Sequence, residues 1–343
     1  MSFQFNERII GICGRNGKGK TNLLDAIYYC CFTKSYFTRS DAQNVLTGSQ
    51  GFRVESIVSV NQDENRVVCI FREAGKKEFS LNAESYYRFS EHIGKFPCVM
   101  IAPDDVQIIT GSSEERRRFL DALLSQIDHE YLNDLINYNK VLQQRNSLLK
   151  LQGETRRIDH QLLEVLNEQL AAPGSRVFEK RKNFLRDFIP GVQQFYRRIS
   201  GEDYEVGLTY QSQLLHTSFD LLFHELRDKD LLLQRTNGGI HKDDLEISLN
   251  GNPFKAIASQ GQRKSLLFAL KLAEFDVLKA ANQFPPLLLL DDLFEKLDED
   301  RMRNLLEWVC NENSGQIFST DTHCERLVNQ LEGLAVGFQL INL

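Results

Sequence analysis

The sequence predicts an α/β fold organised around a phosphate-binding loop, and three observations carry the prediction. Residues 14–21 fit the pattern of Gly, four residues, Gly-Lys and then Ser or Thr. Residues 287–292 are four leucines followed by two aspartates, as expected for a buried strand that ends in acidic groups. Between them, residues 119–199 show helical spacing without strand patterns, which predicts a helical lobe inserted into the α/β chain.

The phosphate-binding loop is predicted to join a strand to a helix. An apolar run at residues 8–13 precedes it, and apolar side chains at helical spacing follow it. Glycines let the backbone N–H groups point at phosphate oxygens, and the helix N-terminus adds partial positive charge. Lys20 can reach the β- and γ-phosphates, and the Thr21 hydroxyl can hold Mg²⁺. We therefore expect ATP and Mg²⁺ to bind at Gly14, Arg15, Asn16, Gly17, Lys18, Gly19, Lys20 and Thr21.

The composition excludes several classes of protein. The chain has 343 residues, of which 42% are hydrophobic and 26% charged, as in soluble globular proteins. It has neither a long apolar run nor a basic-then-apolar start, so we expect no membrane span, no secretion signal and a cytoplasmic location. The seven cysteines form no C-x-x-C pair or other metal-ligand spacing, and we expect reduced thiols.

The charge is unevenly distributed along the chain. The net charge is −6, which by itself argues against nucleic-acid binding. Residues 176–198, however, carry seven basic and two acidic side chains, a local balance of +5. This segment is either a basic binding surface or a solvated helix face.

The elements follow one another in an order that suggests three parts. Short antiparallel strands are predicted after the first helix, at 53–60, 66–72 and 78–81, and a buried strand at 96–101. Four helices are predicted in 119–199, the third ended by Pro173-Gly174 and the fourth by Pro190-Gly191. Strands at 204–210, 245–249 and 316–320 and a helix at 264–280 complete the chain. The predicted parts are an ATPase lobe at 1–118, a helical lobe at 119–200 and the rest of the ATPase lobe at 201–343.

The acidic strand end and a capped helix supply the remaining chemistry. Asp291 would reach the magnesium shell, and Asp292 is placed to polarise a water in line with the γ-phosphate. Ser259 and Gly261 open a helix whose N-terminus could bind a γ-phosphate. Because the phosphate already has a loop within its own subunit, we expect this second site to act across a dimer, with ATP between two chains.

Together these motifs resemble the ABC-type ATPases, with 14–21 as Walker A, 258–262 as the signature, 287–292 as Walker B and 297–298 as the D-loop. Four further segments resemble the RecF family of bacterial recombination mediators, and together with the motifs they cover nearly the whole chain. They are residues 111–121, 138–149, 239–245 and 259–263.

The resemblance implies an ABC/SMC-type ATPase head with an antiparallel β subdomain, an inserted helical lobe and no long coiled coil. It implies an ATP-dependent homodimer, slow ATP hydrolysis that acts as a switch, and binding to single-stranded and gapped double-stranded DNA. It also implies cooperation with RecR and RecO in placing RecA on DNA. By resemblance, Ser259, Gly261 and Gln262 complete the partner subunit's ATP site, and Asp298 lies at the dimer seam.

Some assignments stay open at the level of sequence. Two basic groups are candidate DNA contacts, although the first could instead brace the helical lobe; they are Arg116, Arg117 and Arg118, and Lys180, Arg181 and Lys182. Either Asp321 or His323 could be the switch residue near the γ-phosphate. The family's first strand and its Phe-Arg-Asn-Tyr-like segment have no counterpart here, so we expect an edge strand and part of the adenine pocket to be affected. The alternative is the ATP-binding subunit of an ABC transporter, which would not need an inserted basic lobe.

Overall fold

The computed structural model describes residues 1–73, 75–155, 159–201, 204–292, 307–308, 314–332 and 337–343. Its strands, in chain order, are β1 (Ile9–Cys13), β2 (Gly51–Val60), β3 (Asp63–Arg72), β4 (Lys77–Leu81), β5 (Glu84–Ser85), β6 (Cys98–Ile101), β7 (Val206–Gln211), β8 (Asp244–Leu249), β9 (Asn252–Pro253), β10 (Leu287–Leu290), β11 (Ile317–Asp321) and β12 (Phe338–Asn342). The described helices are α1 (Lys20–Phe32), α2 (Gln107–Thr110), α3 (Ser113–Ile127), α4 (His129–Thr155), α5 (His160–Ser200), α6 (Phe219–Leu233), α7 (Phe254–Ile257), α8 (Gln260–Asn282) and α9 (Cys324–Glu332).

A parallel sheet with the strand order β12-β1-β11-β10-β6 carries the phosphate-binding loop. The strands predicted near 8–13, 96–101, 287–290 and 316–320 are confirmed as β1, β6, β10 and β11. Strand β12 was not predicted, and it pairs with β1 along its whole length. Since the strands are parallel, their carboxyl ends meet at one edge, where ligands bind in open α/β sheets.

A second sheet packs against the first helix and helps to fix the loop. The predicted antiparallel block is confirmed, with the strand order β2-β3-β4-β5. Fully burying each large apolar side chain contributes about 1.5–3 kcal/mol, so the strand and helix that flank the loop are held firmly. The buried cluster includes Ile10, Ile12, Leu24, Tyr28, Val67, Cys69, Phe79, Cys98 and Met100.

The helical region differs from the prediction at its two prolines. Helix α5 has 41 residues and continues through Pro173-Gly174 and Pro190-Gly191, so the predicted helix ends at these positions are wrong. A proline inside a helix costs about 3 kcal/mol, because its backbone lacks an N–H group and its ring crowds the preceding turn. Buried side chains on both sides of the prolines, such as Leu170 and Val177, offset this cost through packing.

The chain divides into two compact units whose boundaries differ from the predicted domains. The first unit contains residues 1–105, 198–201 and 268–343, and the second contains residues 106–197 and 202–267. The second unit therefore includes the small sheet β7-β8-β9 in addition to helices. The small sheet belongs to the second unit because β8 packs against α3 of the same unit. The described residues contain no long coiled coil, as predicted.

Candidate functional site

The phosphate-binding loop has the backbone conformation that its glycines permit. The φ angles of Gly17 and Gly19 are +80° and +97°, a region that residues with a Cβ rarely occupy. Lys20 begins α1, and its side chain turns back over the loop. Its Nζ donates hydrogen bonds to the carbonyl oxygens of Gly14, at 2.6 Å, and Arg15, at 3.4 Å. Lys20 is thus 7% exposed, and its ammonium group is held against the backbone of the loop.

The side chains of Thr21 and Asp291, which are 270 positions apart in sequence, are in contact within the first unit. The Thr21 hydroxyl lies 3.2 Å and 3.1 Å from the two carboxylate oxygens of Asp291. The Asp291 backbone N–H donates to Ile101 O at 2.9 Å, so β6 fixes the position of the aspartate main chain. A hydroxyl and a carboxylate side by side form an oxygen donor set that suits Mg²⁺, which takes its remaining ligands from water and phosphate. The residues therefore fit the metal predicted from sequence.

These groups line a cavity at the carboxyl edge of the sheet. Its volume is about 200 Å³, smaller than the roughly 300–1,000 Å³ of pockets that enclose drug-sized ligands. A cavity of this size can hold phosphate groups. The described lining residues are Asn16, Gly17, Gly19, Lys20, Thr21, Asn22, Asp291 and Asp292. Lys18 belongs to the predicted loop but is exposed, and its N–H donates to Arg15 O at 3.3 Å.

Asp292 has a backbone conformation that is unusual for an aspartate. Its φ angle is +48°, in the left-handed region. Its N–H donates to Thr320 Oγ1 at 2.9 Å, and that hydroxyl lies 2.8 Å from Asp291 Oδ1. Thr320 was not predicted as a site residue, since nothing in its local pattern distinguishes it from any strand threonine. Only the pairing of β10 with β11 brings it beside the acidic strand end.

The two candidate switch residues have different environments. Asp321 is fully buried, and its carboxylate accepts hydrogen bonds from Arg326 at 2.6 and 2.8 Å. It also accepts from the backbone N–H of His323 at 2.7 Å. His323 itself is exposed. The Asp321 carboxylate therefore stabilises the turn after β11 through these hydrogen bonds. The imidazole of His323 is the more accessible of the two side chains.

A disulfide lies directly beside the loop. Cys13, the residue before Gly14, is bonded to Cys324, with their Cα atoms 5.2 Å apart. The prediction of reduced thiols is wrong for this pair and is confirmed for the four other described cysteines, all of them buried. The two residues are 311 positions apart in sequence and become neighbours because β1 pairs with β11, which α9 closely follows.

The predicted signature segment forms the N-terminus of α8 in the second unit. The Ser259 hydroxyl accepts from the Gln262 N–H at 3.2 Å, and the Gln262 side chain accepts from the Ser259 N–H at 2.8 Å. This reciprocal pair is a capping box, which satisfies two N–H groups that the helix leaves unbonded. Gly261 lies within the first turn and is half-buried. Asp298 lies outside the described residues.

Three of the six candidate DNA contacts are engaged inside the second unit. Arg116 forms a two-pronged ion pair with Asp244, at 2.6 and 3.0 Å. Arg117 donates to the carbonyl oxygen of Asp243 at 2.5 Å. Arg181 is 1% exposed and contacts the carboxylates of Asp121, at 2.8 Å, and Asp243, at 3.0 Å. For Arg116 and Arg117 these contacts correspond to the bracing role left open above, whereas the burial of Arg181 was not predicted.

The other three basic side chains reach solvent. Arg118 pairs with Glu114 and Glu115 along the exposed side of α3. Lys180 pairs with Asp128 at 2.7 Å and Glu130 at 3.3 Å, and Lys182 is about half-exposed. Surface ion pairs of this kind are worth at most about 1 kcal/mol, so these side chains can exchange partners.

Residues 241–244, His-Lys-Asp-Asp, also have a structural role that the sequence did not indicate. His241 is packed between Tyr138, whose hydroxyl lies 2.7 Å from Nδ1, and the carbonyl oxygen of Thr236, 3.1 Å from Nε2. Nε2 therefore carries the proton, and Nδ1 accepts from the tyrosine. Burial lowers the pKa of His241 to about 4. Burial also raises the pKa of Asp243 above its ordinary value, against the opposing effect of Arg181.

Fold and site together define a phosphate-loop ATPase head of the ABC/SMC type. A family model described as RecF/RecN/SMC N terminal domain matches residues 1–338. The DNA replication and repair protein RecF of Flavobacterium johnsoniae is 41% identical over 341 residues, covering 99% of this chain and 95% of that protein. RecF of Bacteroides thetaiotaomicron is also 41% identical, over 99% of this chain and 91% of that protein. The chain therefore belongs to the RecF family.

Solved structures agree with this assignment. A structure of the recombination mediator protein RecF-ATP in the RecFOR pathway superimposes with a TM-score of 0.86 at 30% identity, covering 94% of this chain and 88% of that one. An Smc head bound to the C-winged helix domain of ScpA has a TM-score of 0.53 at 14% identity, over 95% of this chain and 86% of that one, which supports the fold alone. The transporter alternative is not favoured by these relatives. None of the helices in the described ranges is long and apolar enough to cross a membrane.

Proposed function

We propose that this chain is an ATP-dependent DNA-binding protein of recombinational repair. The observation that carries the proposal is the convergence of Lys20, Thr21 and Asp291 on one cavity at the carboxyl edge of the parallel sheet. A solved relative is named RecF-ATP, and the curated relatives are named as DNA replication and repair proteins. The cavity supports the ATP-dependent part of the proposal, and the names of the curated relatives support the part that concerns DNA repair.

We propose that the chain's own residues carry out the slow hydrolysis of ATP. The Lys20 ammonium and the loop N–H groups would bind the β- and γ-phosphates, while Thr21 and Asp291 would hold the metal. Bound Mg²⁺ would neutralise charge on the phosphate oxygens. Asp292 would orient the water that attacks the γ-phosphate and accept its proton, while the bond between the γ-phosphate and ADP breaks. Of the two switch candidates, we propose His323 as the residue that senses the γ-phosphate, because Asp321 is already paired with Arg326.

ATP would also bring two copies of the chain together. A cavity of about 200 Å³ covers the phosphates and leaves the nucleoside for other surfaces. We propose that the capped helix N-terminus at Ser259, Gly261 and Gln262 contributes to the ATP site of a partner copy. Asp298 is proposed to lie at the same seam. ATP would then act as a switch between monomer and dimer.

The dimer would bind single-stranded and gapped double-stranded DNA and cooperate with RecR and RecO in placing RecA. We propose Arg118, Lys180 and Lys182 as phosphate contacts, because their side chains reach solvent. Such contacts give binding that is tolerant of sequence and weakens as salt rises. We no longer propose DNA contact for Arg116, Arg117 and Arg181, since their guanidinium groups are engaged within the unit.

The molar mass in solution tests the proposal directly. Light scattering with and without ATP-Mg²⁺ is expected to show a dimer that requires ATP and is lost in Lys20→Arg. Lys18→Arg is the matched control, because this lysine belongs to the same loop but is exposed. Asp292→Asn should bind ATP and retain the dimer by slowing hydrolysis, and that dimer should bind gapped DNA.

Two results would contradict different parts of the proposal. A monomer under all conditions, in spite of measured ATP binding, would contradict the shared site at Ser259. Absence of ATP binding by the wild-type chain would contradict the assignment of the loop itself.

A further inference from the structure

We infer that Thr320 is a positioning residue whose single hydroxyl fixes both acidic groups of the ATP site. The inference rests on the proposed function and deepens it. Thr320 lies on β11, pairs in register with Ile12 of β1, and has no exposed surface. Its side chain is buried and does not belong to the described lining of the cavity, so we expect it to touch no ligand. Its effect would pass entirely through its two neighbours on the acidic strand end.

The hydrogen bonds at Thr320 have a defined direction. A backbone N–H can only donate, so the Thr320 oxygen accepts from the Asp292 N–H at 2.9 Å. A carboxylate can only accept, so the same hydroxyl donates its proton to Asp291 Oδ1 at 2.8 Å. One hydroxyl therefore serves as donor to the metal-ligand carboxylate and as acceptor for the backbone of the residue that polarises water.

The bond to Asp291 fixes the direction in which its carboxylate points. Thr21 Oγ1 approaches both carboxylate oxygens from α1, while Thr320 holds one of them from β11. Partners of this kind orient a ligating carboxylate, and losing one typically weakens metal affinity or activity by about 10–100-fold. Without the Thr320 hydroxyl, the carboxylate would be free to turn away from the metal.

The bond to Asp292 stabilises a strained backbone. A φ of +48° is unfavourable for residues with a Cβ, although aspartate tolerates it better than most. Such conformations persist where the surroundings determine them, and here the Thr320 oxygen supplies the acceptor for the N–H group. If the acceptor were lost, the backbone of Asp292 would be expected to relax and move its carboxylate away from the water it polarises.

The neighbouring residue provides a matched control. Ser319 lies on the same strand with 2% of its surface exposed, and its hydroxyl finds no hydrogen-bond partner among the described residues. Ser319→Ala therefore removes an equally buried hydroxyl without removing a bond. Thr320→Val removes the hydroxyl at nearly constant shape, and Thr320→Ser retains it.

Two measurements separate positioning from general destabilisation. The first is the affinity of the ATP complex for Mn²⁺, followed by electron paramagnetic resonance, and the second is kcat together with KM for ATP. In Thr320→Val we expect Mn²⁺ affinity and kcat each to fall by about 10–100-fold, with ATP affinity in excess EDTA nearly unchanged. Thr320→Ser and Ser319→Ala should behave like the wild type. If valine prevents folding, Thr320→Ala is measured by the same criteria.

The outcomes are distinct. Wild-type Mn²⁺ affinity and kcat in a folded Thr320→Val would overturn the inference, as would an equal loss in Ser319→Ala, which would assign the effect to strand packing. A loss in Thr320→Ser as large as in valine would also overturn it. Failure of the wild-type chain to bind ATP would instead contradict the proposed function.

Discussion

Replacing Arg181 with methionine distinguishes a brace from a DNA contact. The guanidinium group is buried with the carboxylates of Asp121 and Asp243, the Tyr131 hydroxyl at 3.0 Å and the Ile240 carbonyl oxygen at 2.9 Å. Methionine keeps much of the side-chain volume but removes every one of these hydrogen bonds. The buried Asp243 and the partly buried Asp121 then remain without their cation.

The magnitude follows from the burial of the pair. Removing one partner of a buried ion pair destabilises a protein by about 3–5 kcal/mol, because the remaining charge has lost both water and its partner. Burial already raises the pKa of Asp243, and losing Arg181 would raise it further. The loss of stability in Arg181→Met is therefore expected to be largest above the pKa of Asp243. The difference in the free energy of unfolding between variant and wild type should become smaller as the pH falls, because the carboxyl group becomes protonated and neutral.

Urea unfolding followed by circular dichroism, at neutral and acidic pH, measures both effects. Lys182→Met is the control. This neighbouring side chain is about half-exposed, and its ion pair with Glu179 is long, at 3.7 Å. It should change the free energy of unfolding by less than about 0.5 kcal/mol while lowering DNA affinity and its salt dependence. The reasoning would be refuted if Arg181→Met unfolded like the wild type and lost DNA affinity.

Three further predictions concern pH, redox state and the loop. Burial lowers the pKa of His241 from 6.5 to about 4. The stability that this neutral imidazole contributes is therefore complete above pH 6.5 and decreases by about 3 kcal/mol as the pH falls towards 4. In His241→Gln, the free energy of unfolding should change less with pH over this range. Reducing the Cys13–Cys324 disulfide should lower the Tm, because closing so long a loop stabilises by up to about 5 kcal/mol in the chain-entropy model; a double serine variant should have that lower Tm and no response to reductant. Gly14→Ala would place a Cβ 2.6 Å from the Leu343 carbonyl oxygen at a φ of +151°, so ATP binding in equilibrium dialysis should be lost.

The elements that depend on local patterns were predictable from sequence. The loop at 14–21, the acidic end of β10 and the antiparallel block after α1 are each determined by residues within one short segment. Hydrophobic periodicity and glycine chemistry act over the same range, so such patterns can be recognised without knowledge of the fold.

Contacts between distant segments were not predictable in this way. The pairing of β12 with β1 and the role of Thr320 both depend on strand order, which no local pattern encodes. The prolines of α5 do not end the helix, because the packing of buried side chains near them outweighs the preference of proline for helix ends. The burial of Arg181 was missed for a related reason: a cluster of basic residues looks the same in sequence whether its side chains face solvent or pair with carboxylates inside the fold.

The order of the central sheet has a consequence for the synthesis of the chain. Strand β1 is synthesised long before its neighbours β11 and β12, which begin at Ile317 and Phe338. At about 5–20 residues per second, this apolar strand waits roughly 15–60 s for its partners. Unpaired strand edges are prone to aggregation during such an interval. We therefore expect nascent chains to depend on chaperones until β11 and β12 have been synthesised, and nucleotide to bind only after these strands have paired with β1.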